Sequence, residues 1–237
     1  MRILHALRDP ASRFSIAHRM RSRRFAFFLE WVAPLPRPMR ILDVGGTEGF
    51  WERMGFLDGE AAELTIVNLE APAPRSPHVH TLSGDACAMP AFADGSFDVV
   101  FSNSVLEHVG DYSRQRAMAA EIRRIGRRYF VQTPNRHFPI EPHFMFPWFQ
   151  FLPLRLQAFL LMNLKLSFGG RIATREAAEA TARSITLLGE RDFIALFPGA
   201  RIYRERFAGL TKSFVAYGEG TVGSSTGRTT AGGTGPR

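Results

Sequence analysis

The chain has 237 residues, 45% of them apolar, and a single cysteine, Cys87. That length suits one domain with a sizeable core, and one cysteine excludes an internal disulfide framework. The net charge of +8 comes almost wholly from arginine, since Lys165 and Lys212 are the only lysines; the arginines are spread out, so the charge reads as a solvated basic surface more than as a membrane-surface contact or a nucleic-acid footprint.

Residues from about Pro10 to Trp31 read as one or two basic amphipathic helices, with Phe14, Ala17, Phe25, Phe28 and Leu29 on the apolar side. Such a helix either packs on the domain edge or serves as a lid or membrane-touching helix. Pro34, Pro36 and Pro38 stop it. Ile41, Leu42 and Val44 then form a short buried strand, and Gly45, Gly46 and Gly49 crowd the turn that follows. A strand that ends in glycines and feeds a helix suits a nucleotide-like ligand, because the backbone can approach it closely. Asp43 would oppose a pyrophosphate there and favours a ligand with a positive amino group. The first core helix is expected over Phe50–Leu57, and strand two over Leu64–Glu70.

The end of strand two lies about 25 residues past Asp43, where Rossmann-like cofactor folds place an acid on ribose hydroxyls. Asn68 and Glu70 are the two candidates, and Glu70 is favoured because a carboxylate can hold a diol with both oxygens. Val79–Ser83 reads as strand three and runs into Gly84-Asp85-Ala86. Asp94-Gly95 is a turn. Phe97–Phe101 is an apolar strand with Ser102-Asn103 at its C-terminal end, where open α/β sheets bind ligands. His108 is read either as lining a pocket or as satisfied in the core. Tyr112–Ile125 is a helix with arginines near its C-terminus, favourable to the helix dipole. Strand five covers Arg128–Thr133.

The loop after strand five holds His137, Glu141 and His143 within seven residues. A substrate-orienting or general-base role for His143 or Glu141 is preferred to metal ligation, since the sequence shows no supporting cluster elsewhere; no metal is expected. Phe144–Phe168 is apolar and expected to be mostly helical. It suits a cover over an apolar or lipid-like substrate, contact with a membrane face, or a hairpin that buries its own leucines. Arg175–Arg183 and Leu187–Phe197 read as helices, and Ala200–Arg206 with Lys212–Tyr217 as a closing hairpin. Beyond Gly218 the chain is Gly, Thr and Ser with little apolar content, and is expected to be disordered.

The run Arg40-Ile-Leu-Asp-Val-Gly-Gly-Thr-Glu-Gly-Phe-Trp51 resembles the acidic, glycine-rich loop of class I S-adenosylmethionine (SAM) methyltransferases, with Thr47 in place of the family's middle glycine. Pro90–Val109 resembles the matching segment of the small-molecule branch of that family, the type 11-like enzymes. The resemblance covers roughly Met39 to Tyr217. It implies an α/β, Rossmann-like, doubly wound seven-stranded sheet with an antiparallel last strand, N-terminal helices and a helical insertion after strand five. Three parts are expected: an N-terminal helical extension (1–38), a methyltransferase domain (39–218, cover insertion about 144–183) and a disordered tail (219–237).

The resemblance further implies SAM as cofactor, held by Asp43, Gly45, Gly46, Thr47, Gly49, Asn68, Glu70, Asp85, Ala86, Ser102 and Asn103. Asp85 would accept from the adenine amino group. The post-strand-five loop, with His137, Glu141 and His143, would face the transferred methyl. The partner is then a small, partly apolar acceptor, methylated in a cytoplasmic setting, since no secretory pattern or clean membrane span is visible. A SAM-binding regulator without methyl transfer is the alternative. A nicotinamide oxidoreductase fits less well, because Gly45, Gly46 and Gly49 do not follow Gly-x-Gly-x-x-Gly.

Overall fold

The computed structural model describes residues 16–57, 62–166 and 170–222. Phe14, the start of the N-terminal helix and the tail beyond residue 222 lie outside the described residues, as does the side chain of Ala17. In chain order the elements are α1 (Ile16–Val32), β1 (Met39–Val44), α2 (Glu48–Arg53), β2 (Ala62–Asn68), β3 (Val79–Ser83), β4 (Phe97–Asn103), α3 (Tyr112–Ile125) and β5 (Gly126–Pro134). There follow β6 (Ile140–Glu141), β7 (Phe146–Pro147), α4 (Leu154–Asn163), α5 (Arg175–Arg183), α6 (Glu190–Leu196), β8 (Arg201–Phe207) and β9 (Leu210–Glu219).

Seven strands form one sheet in the order β3-β2-β1-β4-β5-β9-β8. Neighbours from β3 to β5 pair parallel, and β9 runs antiparallel to both β5 and β8. This is the Rossmann-like arrangement expected from the sequence. Side chains alternate across it with period two. Leu42, Val100, Val131 and Phe214 enter one core layer, beneath α3 and α6. Ile41, Val99, Phe101, Phe130 and Val215 enter the other, beneath α1 and α2. A sheet covered on both faces favours strands that are apolar throughout, which is why Phe97–Phe101 of β4 was readable as an apolar run.

The expectation of α1 at a domain edge is corrected. Phe25, Phe28, Leu29 and Val32 fall at i, i+3, i+4 and i+7, and this stripe lies on the sheet face itself. Phe28 is fully buried, with its ring 4.9 Å from that of Phe101 and 5.4 Å from that of Phe130. Arg24, on the same helix, reaches into the fold and donates to Glu205 at 2.9 Å.

Two other boundaries differ. The helix after the glycine loop covers only Glu48–Arg53, because Gly55 turns the chain into a left-handed conformation (φ 68°). Among the described residues, the Phe144–Phe168 stretch is helical only over α4, apart from a short 3-10 turn at Phe149–Phe151; before these come the small β6–β7 hairpin and bends. Pro142, Pro147 and Pro153 account for this, since proline lacks the N–H that a helix interior needs. The α4–α5 pair buries its own small core of Phe144, Phe149, Ala158, Leu161, Ala178 and Ala182. The predicted helices Tyr112–Ile125 and Arg175–Arg183 are found at those bounds. Asp111 and Thr174 accept from backbone N–H groups at the two N-termini. Among the described residues no helix is long and apolar enough to cross a membrane.

Candidate functional site

A cleft of about 960 Å3 opens beyond the C-terminal ends of β1, β2 and β3, where the strands hand over to loops. Gly45, Gly46, Thr47, Gly49, Asn68, Glu70, Asp85 and Ala86 all line it. The fold thus gathers eight of the eleven residues proposed from sequence for the cofactor, from three separate segments.

Two glycines shape the loop for different reasons. Gly45 has φ 79°, and a Cβ there would run into the side chain of Val105. Gly46 needs no special φ, but a Cβ on it would overlap the carboxylate of Asp43 directly beneath. Asp43 therefore supports the loop from below and does not line the cleft. It is buried and accepts from Trp51 Nε1 at 2.7 Å, while Oδ1 has no protein donor. Burial pushes its carboxyl up to about 7, against the lowering effect of the Trp51 hydrogen bond.

That shift has a stability consequence. A carboxyl whose folded pKa is raised favours its neutral form in the fold, so its contribution is present below the unfolded value near 4 and lost as pH rises toward 7. Asp43→Asn, which removes the charge, is expected to gain on the native chain across that window, by up to roughly 4 kcal/mol. Urea unfolding at pH 4 and pH 7.5 measures it; a difference independent of pH would contradict it.

Asn68 Nδ2 donates to the carbonyl of Gly46 at 2.7 Å and so braces the loop. Glu70 is exposed beyond the end of β2. Asp85 accepts from the Cys87 N–H at 2.9 Å and from Arg114 Nη2 with both oxygens, at 3.0 and 2.9 Å. The Cys87 N–H and then Arg114 hold its carboxyl below the usual range. Ser102 and Asn103 are not in the cleft wall. Ser102 is buried and donates to the carbonyl of Val44, tying β4 to β1; β4 is continued into the wall by Ser104 and Val105.

A second group lies where the cleft meets the β6–β7 hairpin. His143 Nδ1 is 2.6 Å from Glu141 Oε1, and His143 Nε2 is 3.1 Å from His108 Nε2. Glu141 is buried, and its other oxygen accepts the Phe144 N–H at 2.7 Å. Burial draws His143 down, but Glu141 and then Glu107 outweigh it, and the net shift is upward. His108 goes the other way, to about 4, through burial and the neighbouring His143. Burial pushes Glu107 up to about 7. His137 is not part of this group: its ring stacks on Phe151, 6.1 Å between centroids.

Arg114 and Glu107 were missed in the sequence. Arg114 lies 29 residues from its partner Asp85, and no local pattern announces the pair. Glu107 stands beside His108, and that adjacency was the available signal.

Known proteins can be set beside this geometry. The family profile described as Methyltransferase domain matches residues 45–128. Among solved structures, the CurJ carbon methyltransferase superimposes with a TM-score of 0.56 at 12% identity, over 92% of this chain and 57% of that one. The 1,6-didemethyltoxoflavin-N1-methyltransferase of Burkholderia thailandensis, with bound 1,6-didemethyltoxoflavin and S-adenosylhomocysteine, gives a TM-score of 0.51 at 16% identity, over 85% and 78%. A SAM-dependent methyltransferase from Aquifex aeolicus matches over 91% and 96%, with a TM-score of 0.49 at 14% identity. The comparison with curated proteins gives no match.

The sheet order and the family match define a class I methyltransferase fold. The methyltransferase-domain profile covers residues 45–128 of the 237, and the solved neighbours share the fold. The cleft offers a nucleoside-like ligand an exposed carboxylate at Glu70, the Arg114-paired carboxylate of Asp85, and a loop with glycines at 45, 46 and 49.

Proposed function

We propose that this enzyme methylates a small, partly apolar acceptor that enters between the cofactor cleft and the α4–α5 cover. The observation that carries this reading is the position of His143. It joins His108, which lines the cofactor cleft, to Glu141, which lines a separate cavity of about 440 Å3 beside the cover. An acceptor at this wall would meet a histidine oriented by a buried carboxylate. That pair can hold a hydroxyl or amine in line and take its proton. Phe144, Phe149 and Leu187 give the cavity an apolar side. The didemethyltoxoflavin enzyme, a fold neighbour, also works on a small molecule.

Bound SAM supplies an activated methyl group, so the chain's task is alignment and exclusion of water. In this reading Glu70 takes the ribose diol, since the amide of Asn68 is already committed to Gly46. Asp85 takes the adenine amino group while Arg114 keeps its carboxylate in place. Asp85→Ala is expected to weaken S-adenosylhomocysteine binding roughly 10- to 100-fold, the range for losing a hydrogen bond to a charged group. Calorimetric titration reads this directly; unchanged affinity would remove Asp85 from the adenine site. A panel of small hydroxyl and amine acceptors, followed by mass spectrometry, tests the substrate class. Methylation confined to protein or nucleic acid would overturn it.

A further inference from the structure

We propose that Glu107, His108 and His143 form a binding site for a divalent transition-metal ion, with Glu141 as the carboxylate that orients His143. One ligand atom from each of the three residues lies within 4.8 Å of the other two. The two imidazole Nε2 atoms are 3.1 Å apart, and the Glu107 Oε1 atom is 3.8 Å from His143 Nε2. Ligands held at about 2.0–2.2 Å from one ion sit roughly 3–3.5 Å apart, so the three need an adjustment of about 1 Å.

The hydrogen-bond inventory argues for an ion as well. A single proton between the two Nε2 atoms satisfies both histidines. It leaves Glu107 Oε1 with no donor, although that side chain is fully buried. Its partner oxygen is already fixed by Thr133 Oγ1 at 2.9 Å, so the orphan oxygen stays turned toward the histidines. A cation in place of the shared proton would satisfy all three atoms at once.

The outer shell has the form that metal-bound histidine usually takes. The second ring nitrogen of His143 meets Glu141, which is itself held by the Phe144 N–H. Two imidazoles and one carboxylate suit zinc, or iron, cobalt or nickel, and not magnesium or calcium, which favour all-oxygen sites. Three protein ligands leave a fourth position open. Because His108 lines the cofactor cleft, that position is available to water or to a donor atom of the acceptor; the second option rests on the function proposed above, with the open metal position taking over from His143 Nε2, which cannot hold an ion and accept a proton at once.

The test uses the untagged full chain, stripped with a chelator, and needs neither SAM nor an acceptor. Co2+ is titrated and its visible d–d absorption recorded, followed by displacement with Zn2+. One equivalent of Co2+, released by Zn2+, is expected. His108→Ala and His143→Ala should each lower affinity more than about 100-fold, and Glu141→Gln by about 10- to 100-fold. His78→Ala, on an exposed turn, should leave it unchanged. Thermal unfolding establishes that each variant is folded. Absence of micromolar binding to the native chain, or equal binding by the His108→Ala/His143→Ala variant, would overturn the site. A protein that binds the metal but methylates no small acceptor would sink the proposed substrate class and leave this site standing.

Discussion

Replacing Gly46 with alanine is expected to lower the affinity for S-adenosylhomocysteine by at least about 100-fold. The added Cβ would occupy the space of the Asp43 carboxylate, which cannot withdraw, since it is buried and held by Trp51. The loop must lift instead. A displacement near 1 Å in a positioning element is enough for a loss of this size. Gly55→Ala makes the contrast. Gly55 has φ 68° but nothing within 4 Å of a built Cβ, so alanine there meets strain without collision. It should cost about 1 kcal/mol of stability and leave ligand affinity unchanged. If Gly46→Ala binds S-adenosylhomocysteine within about threefold of the native chain, the close approach of loop and carboxylate is not what shapes the site.

Removing Arg24 is expected to be the most destabilising single change at the N-terminal helix. Arg24 and Glu205 are 8% and 5% exposed and pair at 2.9 Å, and Glu205 also accepts from Ser213 Oγ at 2.6 Å. Arg24→Leu leaves a buried carboxylate without its cation, which typically costs about 3–5 kcal/mol. Arg24→Leu/Glu205→Leu should recover most of that loss, because the fully buried carboxylate goes with its cation and the charges that remain, Arg21 and Lys212, are less deeply buried. Urea unfolding of the single and double variants separates the cases; a double variant no more stable than Arg24→Leu would mean that packing, and not charge, dominates. The effect should reach the site. Phe25 of α1 contacts the ring of Trp51 at 5.6 Å between centroids, and Trp51 is the donor that holds Asp43 beneath the loop.

The sheet was legible because local chemistry and global layout agree. Ile41–Val44 and Phe97–Phe101 are apolar on both faces, and both are central strands covered by helices. The expected bounds of α3 and α5 agree with the structure, where Asp111 and Thr174 cap them. The cover was less legible. Its apolar content suggested helix, but Pro142, Pro147 and Pro153 divide it into a hairpin, a short turn and one ten-residue helix.

In the cofactor cleft the sequence order itself did most of the work. Gly45–Gly49, Asn68–Glu70 and Asp85–Ala86 each follow a strand of one parallel sheet, so they must emerge at the same edge. Asp43 belongs to the same motif, yet pleating turns it under the loop toward Trp51. Ser102 likewise sits at the end of the right strand with its hydroxyl on the backbone of β1.

What the sequence by itself determined about this protein is therefore the order of its strands and helices and the sheet edge at which the cleft opens. Those properties depend on periodicity, turn residues and caps, which act over a few neighbours. Only the tertiary structure decided which distant side chains meet. Arg24 finds Glu205 181 positions away, Arg114 finds Asp85 29 positions back, and His143 closes on His108 across 35. Such pairs depend on how layers stack and where a loop returns, and no local pattern in the chain carries that distance.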